Sequence, residues 1–166
     1  MPSVSPTTAR RLRYASGYLG LAMLHEATEE LALISPADAA HPDVLGVRIE
    51  LHTEKKQWDF VVGYGEQLAR QHPEKDAGWI AWAYALRELN RVEEAKAVLL
   101  EAEPLHGRNS GVLHYNLACY HCLLGERNDA RQRLRKAFRM GQHWKEAALE
   151  DGDLTAMREE IATMES

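Results

Sequence analysis

The sequence predicts an all-α solenoid of about four helix pairs, and three observations predict it. The first is a repeat. Ala27, Val61, Ala95 and Ala130 are spaced 34, 34 and 35 apart, and three further sets keep that spacing: Ala15, Ile49, Ala83, Ala118; Leu24, Trp58, Val92, Arg127; and Ile34, Leu68, Ala102, Ala137. Self-similarity at a period near 34 residues marks a stack of helix-turn-helix units. The second is apolar spacing of the helical kind inside each period. The third is punctuation: Pro36, Pro73 and Pro104 close successive periods, and Gly20, Asn90 and Gly125 mark turns within them.

The elements follow in order. Tyr14, Ala15, Tyr18 and Leu19 form one apolar stripe from about Thr8, and a second helix is expected from Met23 to Ile34 with Leu24, Ala27, Leu31 and Ile34 inward. Ser35-Pro36 stops it, because proline cannot continue a helix. Pro42-Asp43 starts the next, since a missing N–H costs nothing at a first helical position. Leu45, Ile49 and Leu51 lie on that helix, the polar stretch His52 to Gln57 makes its turn, and Trp58, Val61, Leu68 and Ala69 return. Gly63 and Gly65 weaken the returning helix by about 1 kcal/mol each and imply close helix approach. In the third pair Asp76 caps a helix through Trp79, Trp82, Ala83 and Leu86, and Val92, Ala95, Leu99 and Ala102 return until Pro104. The fourth runs through Leu113, Leu117, Ala118 and His121, turns at Gly125 and returns through Ala130, Leu134, Ala137 and Phe138. The extra residue of its period falls in the Gly107 to Ser110 connection, where insertion costs least. Trp144 to Leu149, then a helix begun by Asp153 with Leu154, Met157 and Ile161 inward and Glu159 and Glu160 outward, are expected to cap the stack.

These residues resemble the tetratricopeptide-repeat (TPR) pattern. The third and fourth pairs match best, through Trp79, Trp82-Ala83, Leu86, Ala95, Leu99 and Ala102, then Leu117-Ala118, Gly125, Ala130, Leu134 and Ala137. The second departs at Ile49 and Val61, where the pattern prefers small residues. The resemblance implies a right-handed solenoid whose first helices line a concave groove. It places Leu12, Ser16 and Leu19, then Gly46, Glu50 and Thr53, then Ile80, Tyr84 and Arg87, then Tyr115, Asn116, Cys119 and Cys122 on that surface. The Lys and Asn with which some TPR domains clamp a terminal carboxylate are largely replaced, by Ile80, Tyr84, Tyr115 and Cys119.

The expected organisation is a disordered N-terminus over 1–7, a repeat domain over 8–140 (pairs 8–38, 42–74, 76–107 and 110–140) and a cap over 141–166. The chain has 166 residues, 45% apolar composition and a net charge of −5, which fits one domain and argues against a nucleic-acid partner. No apolar run spans a bilayer. Residues 1–8 lack the apolar stretch of a secretory signal, so a cytoplasmic location is expected. Cys119 and Cys122, with His114 and His121 nearby, lie on one helix that cannot wrap a metal, and mid-helix thiols lack the acidity of redox pairs. Packing explains them, and no cofactor is expected. Arg127, Arg131, Arg135 and Arg139 recur every four residues as a basic stripe, read as a solvated outer face with an acidic docking strip as its alternative.

The function expected is a non-enzymatic adaptor that takes a peptide segment of another protein in its groove, with Glu50, Ile80, Tyr84, Arg87, Tyr115, Asn116, Cys119 and Cys122 as contacts. A secretion-type or assembly chaperone and a self-associating structural repeat remain alternatives.

Overall fold

The computed structural model describes residues 3–165. Among them are ten α-helices, one 3₁₀ segment and no strand. The chain divides into two compact units, Met1–Ala85 and Leu86–Ser166.

In the first unit α1 (Pro6–Gly20) pairs with α2 (Leu24–Ala32), and α3 (Pro42–Glu54) pairs with α4 (Trp58–Gln71) while packing on both helices before it. Leu12, Ala15, Leu19, Ala27, Leu31, Ile34, Val44 and Leu51 make one core. Alanines at the crossings bring the backbones close, and the leucines fill the space beside them. The order begins earlier than the expected disorder over 1–7 allows. Ser5 caps α1 by accepting from the Thr8 N–H, and both hydroxyls donate to Asp38, at 2.7 and 2.6 Å. Residues 1, 2 and 166 of the expected termini lie outside the described residues.

The division between the units falls inside α5 (Asp76–Glu88). The second unit continues with α6 (Val92–His106), α7 (Gly111–Leu123), α8 (Arg127–Met140), α9 (His143–Glu150), a 3₁₀ segment Gly152–Met157 and α10 (Arg158–Thr163). Here α7 packs on α6 and α8, and the 3₁₀ segment lies on α7. Leu99, Leu113, Leu117, Leu134, Leu154 and Ile161 are fully buried.

All four turns are built alike. Ala22, Lys56, Asn90 and Gly125, spaced 34, 34 and 35 apart, are the residues with φ between 52° and 77°. In each turn the next N–H reaches back five residues, from Met23 to Tyr18, Gln57 to His52, Arg91 to Leu86 and Glu126 to His121, at 2.8–2.9 Å. This is the hydrogen bond that closes a helix on a left-handed residue. Asn90 and Gly125 suit that conformation, whereas Ala22 and Lys56 adopt it against a steric cost of about 1 kcal/mol.

Some expected boundaries shift. The left-handed residue of the first turn is Ala22, not Gly20. His52, Thr53 and Glu54 belong to α3, so the second turn is only Lys55–Gln57. Pro104 lies inside α6, which runs to His106; in a final turn its missing N–H removes a single hydrogen bond. Of the two α4 glycines, Gly65 alone marks a close approach. A Cβ there would meet the Trp82 backbone at 2.8 Å, while Gly63 faces open space.

Candidate functional site

The residues expected to line a groove fall into two environments. In α1, Leu12 and Leu19 are buried in the core and only Ser16 is exposed, which removes the leucines from any binding surface. In α3, Glu50 is exposed, with Gly46 and Thr53 half-buried beside it. In α5, Ile80 is half-buried and Tyr84 is 42% exposed. The Tyr84 ring stands edge-on to Trp58, with centroids 5.7 Å apart and planes at 77°, the geometry that aromatic quadrupoles favour. Tyr84 is therefore a large amphipathic side chain, held in orientation and partly exposed.

The α7 residues are closed. Tyr115 is 8% exposed, Cys119 and Cys122 are buried, and Asn116 is half-buried. What covers them is the chain's own C-terminal turn. Asp151 caps the 3₁₀ segment by accepting from the Asp153 N–H at 2.9 Å. Its other oxygen accepts from the Tyr115 hydroxyl at 2.7 Å and from the Cys119 thiol at 3.7 Å. Trp144 of α9 lies against the Tyr115 ring, with centroids 5.0 Å apart. It reaches there because Gly111, at the start of α7, carries no Cβ: one placed there would meet the Trp144 indole nitrogen at 2.5 Å.

Arg87 is likewise engaged. Its guanidinium makes a two-pronged pair with Asp153, of which the Nε–Oδ2 arm is 2.7 Å, and donates to Glu88 at 2.8 Å. That arrangement raises the Arg87 pKa further, mainly through the Asp153 hydrogen bond. Burial, then the Asp151 charge and hydrogen bond, push the Tyr115 phenol and the Cys119 thiol up, and burial does the same for Cys122. All three keep their protons at neutral pH; Tyr115 and Cys119 act as hydrogen-bond donors and Cys122 as a packing group. The residues expected in the groove thus meet a different environment: Arg87 pairs with Asp153, Tyr115 and Cys119 donate to Asp151, and Cys122 is buried.

Two clusters place metal-type ligand atoms within 4.8 Å of one another: Cys119, Asp151 and Asp153, and His121, Glu126 and Asp129. Each already contains a protein cation. Arg87 sits on Asp153, and Lys96 donates to both Glu126 oxygens at 2.7 and 2.8 Å while the His121 Nδ1 lies 2.5 Å from the same carboxylate. A metal would have to displace that ammonium or guanidinium. His114 is buried too; its Nε2 donates to the Gly107 carbonyl at 2.7 Å, which leaves Nδ1 to accept from Arg133. Burial depresses its pKa.

The sequence points to Asp153 only as a helix start and not to Asp151. The available signal was phase: Gly152 falls 34 positions after Ala118, so the acidic turn continues the repeat at its small-residue position.

No family model matches the chain, and no curated protein is significantly similar to it by sequence. Solved structures are similar in fold. TTC0263, a thermophilic TPR protein of Thermus thermophilus, superposes over 93% of this chain and 86% of its own with a TM-score of 0.75 at 20% identity. The chain has the TPR fold. MamA from MSR-1 matches over 80% of this chain and 76% of its own, with a TM-score of 0.67 and 23% identity. MamA from AMB-1 matches over 78% and 70%, with a TM-score of 0.66 and 24% identity. Among the described residues of this TPR fold, no helix is long and apolar enough to cross a membrane.

Proposed function

We propose that the protein is a non-enzymatic protein–protein interaction module. It binds a peptide segment of a partner on the face formed by α3 and the first part of α5, within the first unit. Tyr84 and Ile80 supply apolar contact and Glu50 a polar one. The observation that carries this reading is Tyr84: a ring 42% exposed, fixed by Trp58 and standing on a packed helix. Oriented aromatic side chains of this kind make effective anchors, because little rotamer freedom is lost when they dock.

The test is site-specific photo-crosslinking in the native cell. A photoreactive phenylalanine at position 84 should capture a partner, and the same residue at exposed position 123 should not. The captured partner's segment, made as a peptide, should then bind the wild-type protein and lose about tenfold in affinity with Tyr84→Ala. Capture only of a second copy of the chain would favour the self-associating alternative. Equal binding by Tyr84→Ala would remove the α3–α5 face from the account.

A further inference from the structure

The helix α8 carries six basic side chains in its 14 residues, Arg127, Arg131, Arg133, Arg135, Lys136 and Arg139, against one acid, Asp129. Four are engaged. Arg127 donates to the Ala156 carbonyl at 2.9 Å, Arg131 pairs with Glu160 of α10, Arg133 grips Glu103, and Lys136 approaches the same Glu103 at 3.5 Å. Arg135 and Arg139 are exposed and make no ion pair among the described residues. Both line a cleft of about 530 Å³ against α10, whose other lining includes Glu160, Thr163, Met164 and Glu165.

Arg131, Arg135 and Arg139 lie one turn apart on one face, at steps of about 6 Å. The first position of this row is already filled by a carboxylate, that of Glu160. The next two continue the same geometry without one. We propose that the cleft between α8 and α10 binds an acidic segment of a partner protein, with one carboxylate on Arg135 and another on Arg139, so that the partner extends the row begun by Glu160. Carboxylates one helical turn apart match the arginine spacing, and the guanidinium fork favours planar carboxylate partners. A nucleic-acid backbone fits less well, because it needs a longer run of available cations than Arg135 and Arg139 provide, whereas a short acidic segment needs only those two. Met164 gives the cleft an apolar floor suited to the stem of an acidic side chain.

The experiment is fluorescence anisotropy at low and at physiological salt. Its probe is a fluorescein-labelled peptide carrying two pairs of glutamates at i, i+4 spacing. Comparators are the same peptide with glutamine and a single-stranded RNA of equal charge. Arg135→Glu/Arg139→Glu should weaken the glutamate peptide at least about tenfold, and Arg135→Gln/Arg139→Gln somewhat less. Arg10→Glu/Arg13→Glu, which changes net charge equally at exposed positions of α1, should stay within about twofold of wild type. Affinity should fall with salt. Circular dichroism of each variant should match wild type, since both arginines are exposed. Absence of peptide binding, equal binding of the glutamine peptide, equal losses in both charge reversals, or tighter binding of the RNA would each overturn the proposal.

Discussion

Tyr84 and Tyr115 stand on the first helices of neighbouring pairs, and their environments are opposite. Tyr84 is open and braced by one indole; Tyr115 is sealed under Trp144 and donates to Asp151. Both helices carry the same kind of amphipathic pattern. What differs is the chain that comes later. The turn Asp151-Gly152-Asp153 lies on α7 and supplies the carboxylate to which the Tyr115 hydroxyl and the Cys119 thiol donate. How much of a repeat's inner helix stays exposed depends on what caps it, not on its own residues alone.

The cover is structural, and magnitudes say why. Leu154, Met157 and Ile161 are buried to 1% exposure or less. Burial of each contributes about 1.5–3 kcal/mol, so peeling the segment away would cost about 5–9 kcal/mol, comparable with the whole stability of a domain.

The largest effect that would break this contrast is at Leu154. Leu154→Ala should cost about 2–5 kcal/mol, seen as a lower denaturant midpoint, and should raise binding of a hydrophobic dye. If it is neutral, the 3₁₀ segment is not holding α7 closed. Next comes the tyrosine pair itself. Tyr115→Ala should destabilise by about 3 kcal/mol, as a buried aromatic does, whereas Tyr84→Ala should change stability by less than about 1 kcal/mol. Equal effects in thermal unfolding would erase the distinction. Arg87→Gln should cost about 1 kcal/mol, because a third of that side chain is exposed and solvent screens the pair.

The thiols offer a chemical readout of the same closure. Cys119 and Cys122 are free, buried and held protonated, so a disulfide reagent should modify both slowly in the native protein. Leu154→Ala should speed that reaction before global unfolding.

The smallest effects are in pH. Hydrogen bonds from Arg133, Lys96 and Arg131 hold Glu103, Glu126 and Glu160 below the ordinary value of 4.5. Their folded values lie under the unfolded ones, so their stabilisation is complete above pH 4.5 and is lost as pH falls beneath it. His114 and His52 are depressed from 6.5 by burial. The unfolded chain takes up their protons first, so stability also declines as pH drops through 6.5. His52→Gln/His114→Gln should flatten that upper step in a series of unfolding curves and leave the acid step in place.

Much of the fold is legible because a repeat states its rule four times. The period reappears in the four left-handed turn residues, and Pro42, Asn90, Ser110 and Gly125 punctuate where their backbone chemistry demands. The site is legible only in its first half. Periodicity tells which face of α7 turns inward; it does not tell that Asp151 and Asp153, over thirty residues on, return to it. The groove placement that the TPR resemblance implies for Arg87, Tyr115, Cys119 and Cys122 contains nothing of that return. Pro104 misleads for another: a helix near its end tolerates the loss of one hydrogen bond.

The Gly65 contact bears on how interchangeable these pairs are. Position 65 shares its phase with Leu31, Leu99 and Leu134, all buried leucines. Here the leucine is missing, and the backbone of Trp82 in α5 comes into the room instead. A side chain has been given up so that two backbones can approach. The second pair is therefore keyed to the third. A leucine at position 65, as in the other pairs, would push α5 away from α4, so this approach depends on one absent side chain. This chain has the periodicity of a modular array but not its modularity.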